Sequence, residues 1–121
     1  MKTLPNGITV FNATPHPIRF WKEGWDEPVE VETDVIVNAK AQEEVVNVEN
    51  DVTYVITTFI PVKDENYNIA FNAHKNGAIV VGSIIAAQAF PKTVVAMTPA
   101  PGYERVAPAE KRMNPDKFTV F

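Results

Sequence analysis

Short runs of β-branched residues, separated by turn-forming residues, constrain the fold of this chain more than any other feature. Valine recurs along the whole sequence, whereas leucine occurs once, at Leu4. β-Branched side chains fit the pleated, half-buried surface of a sheet better than the surface of a helix. The 121 residues suit one domain with a core of its own. We therefore expect an α+β, mainly-β domain: one mixed or antiparallel sheet, or a partly open barrel, of about six to eight strands with one short helix.

The first half of the chain contains the runs that we assign to strands. Ile8–Asn12 predicts a first strand after a turn. Two pairs of runs then have the spacing of hairpins: Ile18–Lys22 with Val29–Thr33, and Glu43–Val48 with Val52–Val62. The last of these runs consists almost entirely of β-forming residues over residues 52–60, so we predict that it is the central strand of the sheet.

The second half is predicted to combine a loop, a helix and two further strands. Lys63–Asn76 is polar and rich in asparagine, which predicts a long loop. Ala78–Val81 predicts a strand, and Ser83 is a suitable N-cap for a short helix over Ile84–Phe90. Thr93–Met97 predicts the strand that follows.

The C-terminal part differs in composition from the rest of the chain. We divide the sequence into a globular mainly-β domain, 1–98, and a proline-rich arm, 99–121, that ends in the strand-like segment Lys117–Phe121. Because two terminal phenylalanines are unfavourable in water, this segment is expected either to join the sheet of its own chain or to reach a neighbouring subunit.

Charge and composition exclude several classes of partner. The net charge is −4 and the pI is about 5.1, which argues against DNA or RNA as a partner because nucleic-acid binding needs a basic face. The chain has no cysteine, so neither a disulfide nor a thiolate site is expected. Its longest apolar run, Ala78–Phe90, is too short for a bilayer, and its N-terminus lacks a signal-peptide core. We expect a cytoplasmic protein with no membrane partner.

One local cluster, Asn12-Ala-Thr14-Pro-His16-Pro17, combines an amide, a hydroxyl and an imidazole. Two prolines favour extended backbone here, and residues two apart then lie on one side. Asn12, Thr14 and His16 are therefore candidate ligand-binding residues for an anion or a nucleotide. The alternative is structural: Asn12 and Thr14 stabilise a turn through Asx- or Ser/Thr-type hydrogen bonds.

The same cluster carries a resemblance. Asn12-Ala-Thr-Pro-His16, together with the strand–serine–helix element Val80–Pro91, resembles small proteins of phages, prophages and actinobacteria that share an Asn-x-Thr-Pro-His motif. The resemblance implies a phage or prophage setting, which means the host cytoplasm for a phage-encoded protein. This chain adds two segments to the pattern, 63–76 and 99–115.

Three further residues are candidates for ligand binding. Ser83 opens the predicted helix, whose first N–H groups suit an anion, while Tyr103 and Arg105 suit stacking and ion pairing with a nucleotide. Each has a structural alternative, as helix cap or as part of a solvated arm. We expect no catalytic site, because no nucleophile–base pair is readable. We expect no metal site and no cofactor, because His16 and His74 are the only histidines and no glycine-rich phosphate loop exists.

Two functions are compatible with these features. The first is a non-catalytic, phage-type accessory protein that binds a small anionic metabolite or nucleotide. The second is a structural or protein-interaction module, such as a minor virion or assembly component, that oligomerises through its C-terminal arm.

Overall fold

A computed structural model describes residues 1–121 and contains nine strands, two α-helices and one short 3₁₀ helix. In chain order these are β1 (Lys2–Thr3), β2 (Thr9–Asn12), β3 (Ile18–Phe20), β4 (Val29–Val31), β5 (Ala39–Glu49), β6 (Val52–Pro61), α1 (Glu65–Lys75), β7 (Ile79–Gly82), α2 (Ile84–Ala89), β8 (Val94–Pro99), the 3₁₀ helix Pro108–Glu110 and β9 (Met113–Thr119).

Seven of the strands form one mixed sheet that is nearly closed as a barrel. Their order is β1-β2-β7-β8-β9-β3-β4. Strands β2, β7 and β8 are parallel to one another, and the remaining neighbours are antiparallel except for β9 with β3. The predicted fold class, a mainly-β domain with a mixed sheet or partly open barrel, is confirmed.

The sheet separates two apolar clusters. Inside the barrel, Phe20 and Val81 are fully buried among side chains from β2, β3, β4 and β7. Outside it, Phe11 and Val80 pack beneath helices α1 and α2. Neighbouring residues on β2 and on β7 thus enter different clusters, because successive side chains of a strand point to opposite faces. These parallel strands are covered on both faces, as parallel strands usually are.

The prediction for the 63–76 segment was wrong, since most of it is helix α1. Asp64 is the N-cap, and its carboxylate accepts a hydrogen bond from the backbone N–H of Tyr67. Ala70 and Ala73, three residues apart, are the buried positions of the helix and face the outer cluster. The abundance of asparagine, a weak helix former, concealed this spacing.

The prediction for the β6 segment was half correct. It does pair with β5 as a hairpin over nearly its whole length, but the two strands form a separate sheet and not the centre of the main one. Asn50 and Asp51 form the tight turn, both with positive φ, a conformation that asparagine and aspartate tolerate better than most residues. From here on, the arm means this hairpin, residues 39–61, and residues 99–121 are called the C-terminal segment.

The strand–serine–helix prediction is matched closely by β7, α2 and β8. The Ser83 hydroxyl accepts a hydrogen bond from the N–H of Ala86 at 3.1 Å and so caps α2. Gly82 precedes it where β7, β8 and α2 converge: a Cβ built there would lie 2.6 Å from Val94 Cγ1. Only glycine fits this position without a shift of its neighbours.

The C-terminal segment lies inside the sheet of its own chain. Strand β9 pairs with β8 on one edge and with β3 on the other. Pro115, in the middle of this strand, is fully buried. The two terminal residues, Val120 and Phe121, follow the strand and are exposed.

Candidate functional site

The Asn12 side chain closes the barrel and has no free hydrogen-bonding group. Its Nδ2 donates to the carbonyl oxygens of His16 (2.8 Å) and Val31 (2.9 Å). Its Oδ1 accepts from the backbone N–H of Thr14 (2.9 Å) and lies 2.6 Å from the Thr14 hydroxyl. Two donors and two acceptor positions are all that an amide offers. Asn12 therefore ties β2 to the carbonyl end of β4 and to the turn that follows β2.

The backbone of Asn12 strengthens the same junction. Its N–H donates to the Asp34 carboxylate at 2.8 Å, and its carbonyl accepts from the N–H of Asp34 at 2.9 Å. The amino group of Met1 is paired with the same carboxylate. Asp34 follows β4, so its contacts with Asn12 on β2 and with Met1, just before β1, join the last strand of the order to the first two across the barrel seam.

Of the three motif residues, only His16 leaves its side chain exposed. Thr14 is buried, and its hydroxyl lies within hydrogen-bond distance of Asn12 and of the His16 carbonyl. The His16 imidazole makes no hydrogen bond within the chain. These contacts favour the turn-stabilising role for Asn12 and Thr14 and leave His16 as the motif residue that faces solvent.

A cavity of about 650 Å³ lies beside the motif and brings together residues that are distant in sequence. His16 and Ser83 line it, as does Thr14, so three of the predicted ligand residues meet here. Two cations that the sequence did not single out, Arg19 and Lys111, also line it. The volume lies within the roughly 300–1,000 Å³ range of small-molecule sites.

The charged groups of the cavity are unevenly paired. Arg19 lies 3.7 Å from the Glu30 carboxylate and donates to the carbonyl of Ala109 at 2.9 Å. Lys111 forms no salt bridge. The cavity thus holds two cations and one carboxylate beside an exposed imidazole, an arrangement suited to an anion.

Tyr103 and Arg105 lie away from this cavity. The Tyr103 ring packs edge-on against Trp21, with centroids 5.7 Å apart. The Arg112 guanidinium lies over both rings, 4.9 Å from the Tyr103 centroid and 5.0 Å from that of Trp21. Tyr103 thus has an internal cation–π partner, whereas Arg105 is exposed and makes no hydrogen bond or salt bridge.

Sequence reasoning missed Arg19 and Lys111 for different reasons. Arg19 alternates with buried Ile18 and Phe20 on β3, so its outward direction was readable from strand periodicity. Lys111 reaches the cavity only because β9 enters the sheet next to β3, a pairing between distant parts of the chain that no local pattern indicates.

The arm is a second candidate site and differs sharply from the cavity. None of its residues belongs to either apolar cluster. Eight large apolar side chains of the arm are between 39% and 61% exposed: Val45, Val46, Val48, Val52, Tyr54, Val55, Ile56 and Ile60. Within β6 only Phe59 is partly covered, near the end where the arm leaves the body, and α2 is the helix that contacts this strand.

Comparison with known protein families, with curated proteins and with solved structures finds no match. No helix has the length and apolar character needed to cross a membrane.

Proposed function

We propose that this protein is a structural component that self-associates through its β5–β6 arm. The observation that carries the proposal is the exposure of eight large apolar side chains on a hairpin that adds nothing to the apolar clusters of the body. Exposed apolar surface of several hundred Å² marks interaction sites on soluble proteins. The sequence resemblance implies a phage or prophage setting, and a minor virion or assembly component is a structural role within that setting.

The geometry of the arm supports a role outside the folded body. At about 3.3 Å per residue, its ten- and eleven-residue strands extend for roughly 33 Å. An isolated two-stranded hairpin of this kind is only marginally stable in water. Contact with a further protein surface would cover its apolar side chains and stabilise its strands.

The arm replaces the C-terminal segment as the proposed contact element. Strand β9 pairs with β8 and meets β3 at Met113, so the C-terminal segment is already part of the sheet of its own chain. Strand β6, by contrast, has β5 as its only strand partner.

The proposal is tested by shortening the arm. Residues 44–56 are replaced by Asn-Gly, which joins the paired residues Glu43 and Thr57 through a two-residue turn. We expect the full chain to show a concentration-dependent mass above 13.4 kDa in sedimentation or light scattering. The shortened chain should remain a monomer with an unchanged melting temperature, because no core residue has been removed. A full chain that stays monomeric up to millimolar concentration would overturn the proposal.

The cavity favours a second candidate function, the binding of a small anionic metabolite or nucleotide. Its specific support is the meeting of His16, Arg19, Lys111 and Ser83 around one space of about 650 Å³. Titration calorimetry with inorganic phosphate and with adenosine monophosphate tests it. Lys111→Ala should weaken binding about tenfold, the loss of one charge-assisted contact, whereas Lys117→Ala, outside the cavity, should not. Absence of heat with both probes would refute this candidate.

A further inference from the structure

The outer edge of β6 is unusually open to another strand. Residues 52–61 contain no charged residue and no glycine, and the only proline is the last residue, Pro61. Natural edge strands are generally protected by charges, prolines or bulges. Strand β6 has none of these over residues 52–60, and its ladder with β5 satisfies only one of its two edges.

The other edge of the arm is protected. Strand β5 carries Lys40 and three glutamates, Glu43, Glu44 and Glu49, and is interrupted by an irregularity between Val45 and Asn47. Two copies of β5 side by side would bring these glutamates together, and like charges repel. The charges therefore direct a second arm to β6 and away from β5.

We infer that β6 pairs antiparallel with β6 of a second copy of this chain, about a two-fold axis at Ile56, to form a four-stranded sheet β5-β6-β6-β5. The inference rests on the proposed function and names the partner and its geometry. Residue 56 is the centre of the uncharged run 52–60, so this register pairs the whole run with itself. A two-fold axis closes the assembly and leaves no free β6 edge.

The side chains on one face of β6 fit this register. Ile56 meets its own copy, and Val52 meets Ile60, so that exposed β-branched side chains face each other. These three side chains are 52%, 49% and 41% exposed in the single chain. The two β5 strands lie on the outside, where their carboxylates stay in water and far from one another.

Most of the exposed apolar surface of the arm lies on the strand that makes this contact. Five of its eight exposed apolar side chains, Val52, Tyr54, Val55, Ile56 and Ile60, lie on β6 itself. The antiparallel arrangement places the tip of each arm beside the base of the other. There α2 adds the exposed side chains of Ile84 (61%) and Ile85 (42%), next to the strand that it contacts.

A matched pair of lysine substitutions tests which edge is used. Ile56→Lys places one charge on β6, and Val48→Lys places one on β5. The two positions are similarly exposed, 52% at Ile56 and 61% at Val48. Ile56→Lys brings two like charges together at the two-fold axis, so we expect the dissociation constant of the dimer to rise on the order of 100-fold or more. Val48→Lys should leave it within a few-fold of the parent value.

Single cysteines test the register, since the chain has none of its own. Under mild oxidation, Ile56→Cys should form a disulfide-linked dimer, because the two residues face each other across one pair of strands. Val52→Cys alone should not, whereas a mixture of Val52→Cys and Ile60→Cys chains should cross-link.

The outcomes separate the inference from the proposed function. A dimer that is disrupted by Val48→Lys and not by Ile56→Lys, or that cross-links at all positions tested, overturns the β6–β6 pairing but leaves self-association through the arm intact. A monomeric full chain overturns both.

Discussion

Strands β2 and β6 are both built from apolar and β-branched residues, yet their environments are opposite. In β2 the three residues Val10–Asn12 are buried, whereas nine of the ten residues of β6 are exposed. Strand β2 lies between β1 and β7 and beneath the helices that cover the outer cluster. Strand β6 has a single strand neighbour. The difference shows that β-propensity predicts a strand but does not predict what covers it.

The two regions also use polar groups differently. At the barrel seam, one buried asparagine satisfies four hydrogen-bonding positions within a short distance. In the arm, side-chain hydrogen bonding is limited to one contact of 3.5 Å, from Thr58 to the carbonyl of Gln42. The body is thus held by internal contacts, while the arm leaves its side chains for contacts outside the chain.

The largest expected effect compares one substitution in both regions, Asn12→Ala and Asn47→Ala. Asn12→Ala leaves the carbonyl of Val31 and the N–H of Thr14 without their partner in a buried site, so we expect a loss of roughly 3 kcal/mol in the free energy of unfolding. Asn47 is exposed on β5, so Asn47→Ala should lower the free energy of unfolding by no more than about 0.5 kcal/mol. Urea denaturation of both variants measures the difference.

His16→Ala completes that comparison within the motif. Because the His16 imidazole has no internal partner, the free energy of unfolding should change by less than about 0.5 kcal/mol. Equal stability of the Asn12 and His16 variants would show that the seam contacts do not hold the barrel.

A second, smaller effect concerns packing density. Gly82→Ala adds one methyl group where Val94 Cγ1 is 2.6 Å away, and overpacking of this kind costs about 1–3 kcal/mol. Ala41→Val adds two methyl groups to the exposed arm and should change stability by no more than about 0.5 kcal/mol. Melting curves of the two variants provide the comparison.

The double variant Gly82→Ala, Val94→Ala provides the control for this packing effect. Removal of the Val94 methyl groups opens the space that the new Cβ needs. The double variant should therefore lose less stability than the sum of the losses in the two single variants. Strict additivity would mean that the close approach at Gly82 is not the cause.

These contrasts indicate how far the sequence predicts the molecule. Strands and their capped helix α2 followed from local patterns, because Ser83 and the β-branched runs act within a few residues. The exposure of β6 could not be predicted from its local sequence, because burial depends on which distant segments cover a strand. Helix α1 was readable in principle from Asp64 and the Ala70–Ala73 spacing. The cavity could not be predicted from the sequence, since Arg19 and Lys111 come together only through the pairing of β3 with β9.

The smallest expected effect concerns the acid dependence of the body. A hydrogen bond from Asn6 and then the ammonium of Lys22 lower the pKa of Asp116 from its ordinary value, with Nδ2 of Asn6 and Nζ of Lys22 at 2.9 and 3.0 Å from the carboxylate. Because the folded state favours the ionised form, Asp116 contributes stability above the unfolded-state pKa, about 3.9, and this contribution is lost as the pH falls through the lowered value.

Asp116→Asn should therefore be slightly less stable than the parent at pH 7, and the difference should disappear as the pH is lowered toward 2. Titration of the Asp116 carboxyl carbon by NMR checks the cause directly, since Lys22→Met should move its pKa upward. The site joins β9 to the loop after β1 and to the residues after β3, so its acid sensitivity belongs to the body. Shortening the arm should leave the Asp116 titration unchanged. An altered titration in the shortened chain would mean that body and arm are not independent, and the contrast between them would fail.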